Sequence, residues 1–226
     1  MNSNSFLSRV YHRCNRTWYG RFFSNFLRKI YASDILKRRL KVYNYGSIRI
    51  NKTIIGSDNT LFVGKNSLLL NVDIIVIGSN NVIRIGDSCV IRDKTKIWIE
   101  GSGCEIVIGD GCSISHDNEF LCQESNRKIM IGMDCMFSHH INVRTSDSHP
   151  IFNELGERVN LPQDTIIGNH VWIAPHSIVM KGVEIGDGAI IGSCAVVTKS
   201  INKKCLAVGV PAKCVRENVR WERQLE

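Results

Sequence analysis

Histidine is the residue type whose positions in this chain could do chemistry. Of its seven histidines, His149 stands just before a proline, where a long polar loop begins. An imidazole in such a place could take the proton of a reacting hydroxyl as a general base. Asp147, two residues earlier, could orient that imidazole, although a backbone carbonyl could serve equally well.

A second pair of histidines has a shared spacing. His116 and His139 each lie eight residues after an Ile-Gly dipeptide, so we expect their rings to stack one above the other. Three imidazoles could instead bind zinc, and His116, His139, His140 and His149 are available for that. The remaining histidines are interpreted as solvated or structural: His12, His170 and His176.

The Ile-Gly dipeptide itself reveals the elements that must position these side chains. It recurs first at 23 and then at 18 residues, with a small or β-branched residue four positions after the isoleucine: Ile85-Gly86, Ile108-Gly109, Ile131-Gly132, Ile167-Gly168, Ile185-Gly186 and Ile191-Gly192. A period of six predicts an all-β solenoid, a parallel β-helix with three short strands in each coil. We expect each isoleucine to stack on that of the next coil, and each glycine to turn the corner at positive φ.

Cysteine occupies one phase of this repeat. Cys89, Cys112 and Cys135 fall where the coil needs a small buried side chain, and a free thiol behaves there as a small hydrophobic group. The chain has nine cysteines but no CxxC pair. We therefore expect all of them to be reduced, with no metal site and no disulfide.

The repeat divides the chain into three parts. The β-helix is predicted over residues 46–208, with a protruding loop at 150–164 where the Ile-Gly spacing rises to 36. Pro211 predicts a short C-terminal α-helix within residues 209–226. Residues 1–45 form a basic segment in which apolar residues recur at helical spacing over 5–31.

The charge is concentrated in that first segment. Residues 1–41 hold ten Lys or Arg and one acidic residue, whereas the whole chain has a net charge of +8. An amphipathic helix there could pack on the solenoid or a sister subunit, or could contact the anionic surface of an inner membrane. With no secretory signal and no membrane-spanning run, we expect a cytoplasmic protein with no nucleic-acid partner.

The stretch 167–199, followed by Gly-Val-Pro-Ala-Lys at 209–213, resembles the left-handed β-helix acyltransferases of the hexapeptide-repeat superfamily. Within that superfamily, Thr-Ser-Asp-Ser-His-Pro at 145–150 resembles the O-acetyltransferases of sugars and bacterial surface polysaccharides, including the polysialic-acid and capsule group. The resemblance covers about residues 46–220. It implies a left-handed coil, acetyl-CoA as the acyl donor, a homotrimer, and a carbohydrate acceptor that could be an anionic polysaccharide.

The resemblance also assigns roles to single residues. It implies that His149 is the general base and that Trp172 walls the acetyl end of the donor. Because Pro175 has no N–H, the oxyanion donor would be another amide, such as that of Trp172 or Ala174. Pantetheine and adenine contacts are implied for Ala174, Ser193, Thr198 and Lys199, and phosphate contacts suit Lys213 and Arg216. Candidates for acceptor binding are His116, His139, Arg144 and Asp147.

The leading prediction is therefore an acetyl-CoA-dependent O-acetyltransferase that acts on a capsular or lipopolysaccharide glycan. One alternative is a small-molecule or sugar-nucleotide acetyltransferase. An alternative from another class is a non-catalytic, polysaccharide-binding solenoid. Zinc chemistry is disfavoured because the segments around Thr198 and Lys199 and at 209–213 would have no role in it.

Overall fold

The computed structural model describes residues 40–224, which form an all-β solenoid of stacked coils. Strands on the first face are β1 (Leu40–Asn44), β3 (Asn59–Val63), β5 (Val82–Ile85), β8 (Glu105–Ile108), β11 (Lys128–Ile131), β14 (Thr165–Ile167) and β17 (Glu184–Ile185). Strands on the second face are β6 (Val90–Ile91), β9 (Ser113–Ile114), β12 (Met136–Phe137), β15 (Trp172–Ile173), β18 (Ile190–Ile191) and β20 (Leu206–Val208), with β21 (Lys213–Arg216) at its edge. Strands on the third face are β2 (Ser47–Ile55), β4 (Leu68–Ile77), β7 (Lys96–Glu100), β10 (Glu119–Gln123), β13 (Asn142–Arg144), β16 (Ile178–Val179) and β19 (Val196–Val197).

The predicted β-helix is confirmed, and the long strand β4 shows how two of its faces are joined. The first residues of β4 pair with β6, and its last five residues pair with β7. The strand therefore bends around a corner of the coil. The left-handed sense of the coil stays a prediction.

The isoleucines of the repeat form the column that the sequence predicts. Ile85, Ile108, Ile131, Ile167 and Ile185 pair in register along the first face. Each is at most 3% exposed, and burial of one such side chain contributes about 1.5–3 kcal/mol. The stack of coils is thus held together by the residues that define its period.

The predicted reason for the repeated glycines is wrong. The φ angles of Gly86, Gly109, Gly132, Gly168 and Gly186 all lie outside the left-handed region. A Cβ atom on Gly109 would instead lie 2.6 Å from the carbonyl carbon of Gly132 in the next coil. Glycine is needed at these corners because the backbones of neighbouring coils approach too closely for any side chain.

The cysteine prediction is right for the column and wrong for the C-terminus. Cys89, Cys112 and Cys135 are all at most 1% exposed, and a hydrogen bond with Cys135, together with burial, raises the pKa of Cys112 to about 12. Cys205 and Cys214, however, form a disulfide whose Cα atoms are 6.0 Å apart. The bond forms because β21 folds back antiparallel on β20, which places the second thiol beside the first.

The helix predicted over 209–226 is also contradicted, because the described part of that segment contains β21 and no helix. The backbone of β21 pairs antiparallel with β20, so its N–H and C=O groups are satisfied by the sheet and not by helical hydrogen bonds. The predicted helix over 5–31 lies outside the described residues. The first described strand, β1, begins at Leu40, so the solenoid starts inside the basic segment 1–45 and before the predicted boundary at residue 46.

The predicted loop is present between β13 and β14. Ile131 and Ile167 pair directly although 36 residues separate them, so the extra chain leaves the stack at one corner and returns to it. The tip carries exposed apolar side chains, including Phe152 at 58% and Leu155 at 83%. The described residues contain no helix of the length and hydropathy that crossing a membrane requires.

Candidate active site

His149 lies at the base of the loop and is exposed. Its backbone carbonyl accepts a hydrogen bond of 2.8 Å from Nδ2 of Asn160. Its imidazole, by contrast, makes no hydrogen bond to any other residue within 40–224. The arrangement fixes the main chain and leaves the ring available to a ligand.

Asp147 does not bind that imidazole, which corrects one of its two predicted roles. Its carboxylate accepts hydrogen bonds from Nζ of Lys181 at 2.5 Å and from Nδ2 of Asn160 at 2.9 Å. The bond from Lys181 holds the pKa of Asp147 below its usual value. With both partners inside the loop and the adjacent coil, this carboxylate anchors the loop and is not free for an acceptor.

A second ion pair holds the part of the loop that returns to the solenoid. Nη1 and Nη2 of Arg158 donate to the carboxylate of Glu124 at 2.6 and 2.7 Å. Oγ of Ser146 donates to the same carboxylate at 2.6 Å, and the bond from Arg158 lowers the pKa of Glu124. Bidentate pairs of this kind fix geometry as well as charge, so the base of the loop is held at two points.

Trp172 lies on a different face from His149. It is on β15, which pairs with β12 and β18, whereas β13, which leads to His149, pairs with β10 and β16. The indole is half-buried, and its Nε1 atom is buried without a partner among the described residues. One chain therefore does not bring the two predicted catalytic residues together.

The C-terminal tail covers the surface next to Trp172. Trp221 stacks on His170 with ring centroids 4.2 Å apart, and its Nε1 donates to the His170 carbonyl at 2.8 Å. Its ring centroid is 6.2 Å from that of Trp172. Nε and Nη2 of Arg223 bind Asp134 at 2.9 and 2.8 Å. No pattern in the sequence predicts this contact, since the partners lie far apart in the chain and the tail is outside the repeat.

The predicted oxyanion donors are already occupied. The amide of Trp172 donates to the carbonyl of Ala189 at 3.0 Å, and that of Ala174 donates to Ile191 at 2.8 Å. Both bonds belong to the ladder between coils. A donor for a developing negative charge must be free to point at it, so this prediction is contradicted for the coil as it stands.

The other residues predicted to bind the donor lie at the C-terminal end of the solenoid. Ala174 is 5% exposed at the end of β15. Ser193, Thr198 and Lys199 are exposed after β18 and β19, and Lys213 and Arg216 are exposed on β21. Three cations at one end of the stack suit a ligand that carries phosphates.

The histidines form a larger cluster than the sequence predicted. The rings of His116 and His139 stack at 5.1 Å, as their shared spacing predicts. His140 and His176 join them, with centroids 5.2 Å from that of His139. Burial, followed by the neighbouring imidazoles, lowers the pKa of His139.

Two further findings concern the predicted acceptor and metal sites. Arg144, a candidate for acceptor binding, lies on the third face, where its Nε donates to Oδ1 of Asn142 at 2.8 Å. This bond is not to any histidine of the cluster. Among residues 40–224, no group of three or more His, Cys, Asp or Glu side chains is arranged to hold a metal ion. The four rings form a stack of imidazoles at one corner of the coils.

The amino-acid sequence is similar to those of known transferases. A family model described as bacterial transferase hexapeptide (six repeats) matches residues 164–199. Galactoside O-acetyltransferase of Escherichia coli (strain K12) is 43% identical over 72 residues, which is 30% of this chain and 34% of that protein. Polysialic acid O-acetyltransferase of Escherichia coli O1:K1 / APEC is 35% identical over 82 residues, which is 36% and 27%. The matched region thus spans about a third of these relatives.

Structural comparison extends the similarity over most of the fold. The structure of the polysialic acid O-acetyltransferase OatWY aligns with a TM-score of 0.72 and 31% identity, over 83% of this chain and 92% of that one. The structure of the polySia specific acetyltransferase NeuO aligns with a TM-score of 0.57 and 26% identity, over 82% and 83%.

Proposed function

Because the chain belongs to the hexapeptide-repeat transferase family, we propose that it is an acetyl-CoA-dependent O-acetyltransferase. Its acceptor in this proposal is a sugar hydroxyl of a bacterial surface glycan, capsular or lipopolysaccharide. Similarity to two acetyltransferases named for polysialic acid supports an anionic polymer as the acceptor. Similarity to a galactoside acetyltransferase keeps a small sugar as the second candidate.

The observation that carries the proposal is the state of His149: a clamped backbone and an exposed, unengaged imidazole. In the proposed reaction His149 takes the proton of the sugar hydroxyl as its oxygen attacks the thioester carbonyl. The C–O bond forms, and the C–S bond breaks. The imidazolium then returns the proton to the departing thiolate, which leaves an acetylated sugar and free CoA.

We place the site between two protomers of a homotrimer. The placement of His149 and Trp172 on different faces of one chain supports this, since a partner's surface could bring an indole to the base. In this arrangement the donor runs along the last coils past Ser193, Thr198 and Lys199. Lys213 and Arg216, on β21, are suited to its phosphates because they offer several charged donors.

The basic segment, residues 1–41, is proposed to bring the enzyme and its acceptor together. A segment with ten Lys or Arg in residues 1–41 would concentrate an anionic acceptor, or hold a cytoplasmic enzyme at the inner membrane. Both roles weaken with salt, because screening shortens the range of exposed charges. Packing against the solenoid would not depend on salt in this way.

The test is CoA release from acetyl-CoA with polysialic acid, a neutral capsular oligosaccharide and a galactoside as acceptors, at low and high salt. We expect the polymer to be preferred, and deletion of residues 1–39 to raise KM for the polymer alone.

His149→Ala should lower kcat about 10²–10⁴-fold and leave the melting temperature unchanged. Turnover above half of wild type in this variant would contradict the assignment, and preference for the galactoside would favour the second candidate.

A further inference from the structure

Asn160 lies in the part of the loop that returns to the solenoid, and it is 9% exposed. Its Nδ2 donates to the carbonyl of His149 at 2.8 Å and to Oδ2 of Asp147 at 2.9 Å. Its Oδ1 accepts the backbone N–H of Ile151 at 2.7 Å and Nε of Arg158 at 3.3 Å. A side-chain amide has two donors and two acceptor sites, so this one is fully used.

Two of these four bonds, to the carbonyl of His149 and to the N–H of Ile151, hold the main chain around the predicted base. Pro150 has no N–H, so Asn160 binds the carbonyl before that proline and the amide after it. The identity of the partners also fixes the orientation of the side chain, because a carboxylate and a carbonyl need a donor and an N–H needs an acceptor. The amide can therefore hold the backbone of 149–151 in only one way.

Asn160 is in turn tied to the rigid solenoid. Nζ of Lys181, whose side chain is 16% exposed, donates to the Asn160 carbonyl at 3.0 Å and to Asp147 at 2.5 Å. Lys181 belongs to the next coil, two residues after the end of β16. A continuous set of bonds thus runs from the coil through Asn160 to the main chain of His149.

We propose that Asn160 is a positioning residue, which sets the place of the His149 imidazole without touching the substrate. The proposal rests on the proposed role of His149. A base must come within hydrogen-bond distance of the proton that it takes, and a displacement of about 1 Å can cost about 10²-fold in rate. The hydrogen bonds of the Asn160 side chain therefore control how far the imidazole can shift from the reacting proton.

The first test compares Asn160→Ala with Asn153→Ala. Asn153 is in the same loop, and its Oδ1 accepts the backbone N–H of Leu155 and of Glu157 at 3.0 and 2.9 Å. It makes no bond to residues 147–151. We expect Asn160→Ala to lower kcat about 10- to 100-fold at an unchanged KM for acetyl-CoA, and Asn153→Ala to stay near wild type. Equal effects of the two variants would overturn the proposal.

The second test separates positioning from simple anchoring of the loop. In the double variant Asp147→Asn with Asn160→Asp, the amide–carboxylate pair is restored with the partners exchanged. Nζ of Lys181 can still donate to the new side-chain amide oxygen at position 147 and to the main-chain carbonyl at position 160. A carboxylate cannot donate to the His149 carbonyl. We expect the melting temperature to recover and kcat to stay low. Recovery of both would show that Asn160 only anchors the loop.

The third test asks whether Asn160 acts through His149. Adding Asn160→Ala to His149→Ala should lower the residual rate no further, because residues that act as a unit are not additive. A further drop as large as in the wild-type background would contradict the inference. If His149→Ala itself keeps its turnover, the proposed function fails first; if only Asn160→Ala resembles wild type, the proposed function stands and this inference fails.

Discussion

Asp147 lies two residues before His149, yet its carboxylate binds Lys181 and Asn160. A lysine 34 residues later in the chain supplies a full opposite charge at hydrogen-bond distance, and charge-assisted bonds are among the stronger ones. Proximity in sequence did not decide the partner of this residue. The hydrogen-bond network around His149 therefore contacts its main-chain carbonyl and not its imidazole ring.

The bond from Lys181 makes a prediction about pH. Because the pKa of Asp147 is lowered in the folded protein, the ionised carboxylate stabilises the fold fully above its unfolded pKa of about 3.9. That contribution is lost as the pH falls through the lowered value. We expect Asp147→Asn to be less stable than wild type at pH 7, with the difference shrinking below about pH 4.

Urea unfolding of both proteins at pH 7, 5 and 3.5 would measure this. A difference in unfolding free energy that persists undiminished at the lowest pH would contradict the ionic origin of the effect. So would the absence of any difference at neutral pH.

At the level of the elements, glycine has a different role at the corners from the one that its conformational freedom suggests. The Cβ of an alanine at 109 would meet the backbone of Gly132 at 2.6 Å, and a backbone cannot move aside without shifting a whole coil. We expect Gly109→Ala to lower the free energy of unfolding by about 1–3 kcal/mol, as overpacking usually does.

Gly192→Ala is the matched control for that substitution. There the nearest atom is the side-chain Cγ1 of Val208 at 2.7 Å, on a residue that is 36% exposed, and the nearest backbone atom is the carbonyl oxygen of Ala207 at 3.6 Å. Its loss of stability, measured by urea unfolding, should be clearly smaller. Equal losses would mean that the approach of the coils is not the reason for glycine at 109.

The elements that could be predicted are those that repeat. The isoleucine column, the cysteine column and the position of the loop follow from a period that is visible along the chain. The Cys205–Cys214 bond, the strand β21 and the contact of Trp221 with His170 each occur once, between segments that the period does not relate. The same holds for Asn160, whose partners are set by how the loop folds back on itself.

For the whole molecule, the separation of His149 and Trp172 on different faces makes a prediction about assembly. If the base comes from one protomer and the indole from its neighbour, His149→Ala and Trp172→Ala chains should complement each other in mixed trimers. Random mixing of equal amounts would restore about a quarter of the sites.

The measurement is CoA release after the two inactive variants are dissociated, mixed and reassembled. The control is the double variant His149→Ala with Trp172→Ala mixed with His149→Ala, in which no site can have a base. No recovery in the first mixture, despite confirmed hybrid trimers, would place both residues in one chain's site.

The direct pairing of Ile131 with Ile167 has a consequence for how such proteins diversify. The loop leaves and rejoins the stack at a single corner, so a change in its length or composition need not disturb the register of any coil. Extending a loop costs little in closure entropy. Selection can therefore alter the segment that faces a new glycan while the frame that presents it is inherited intact.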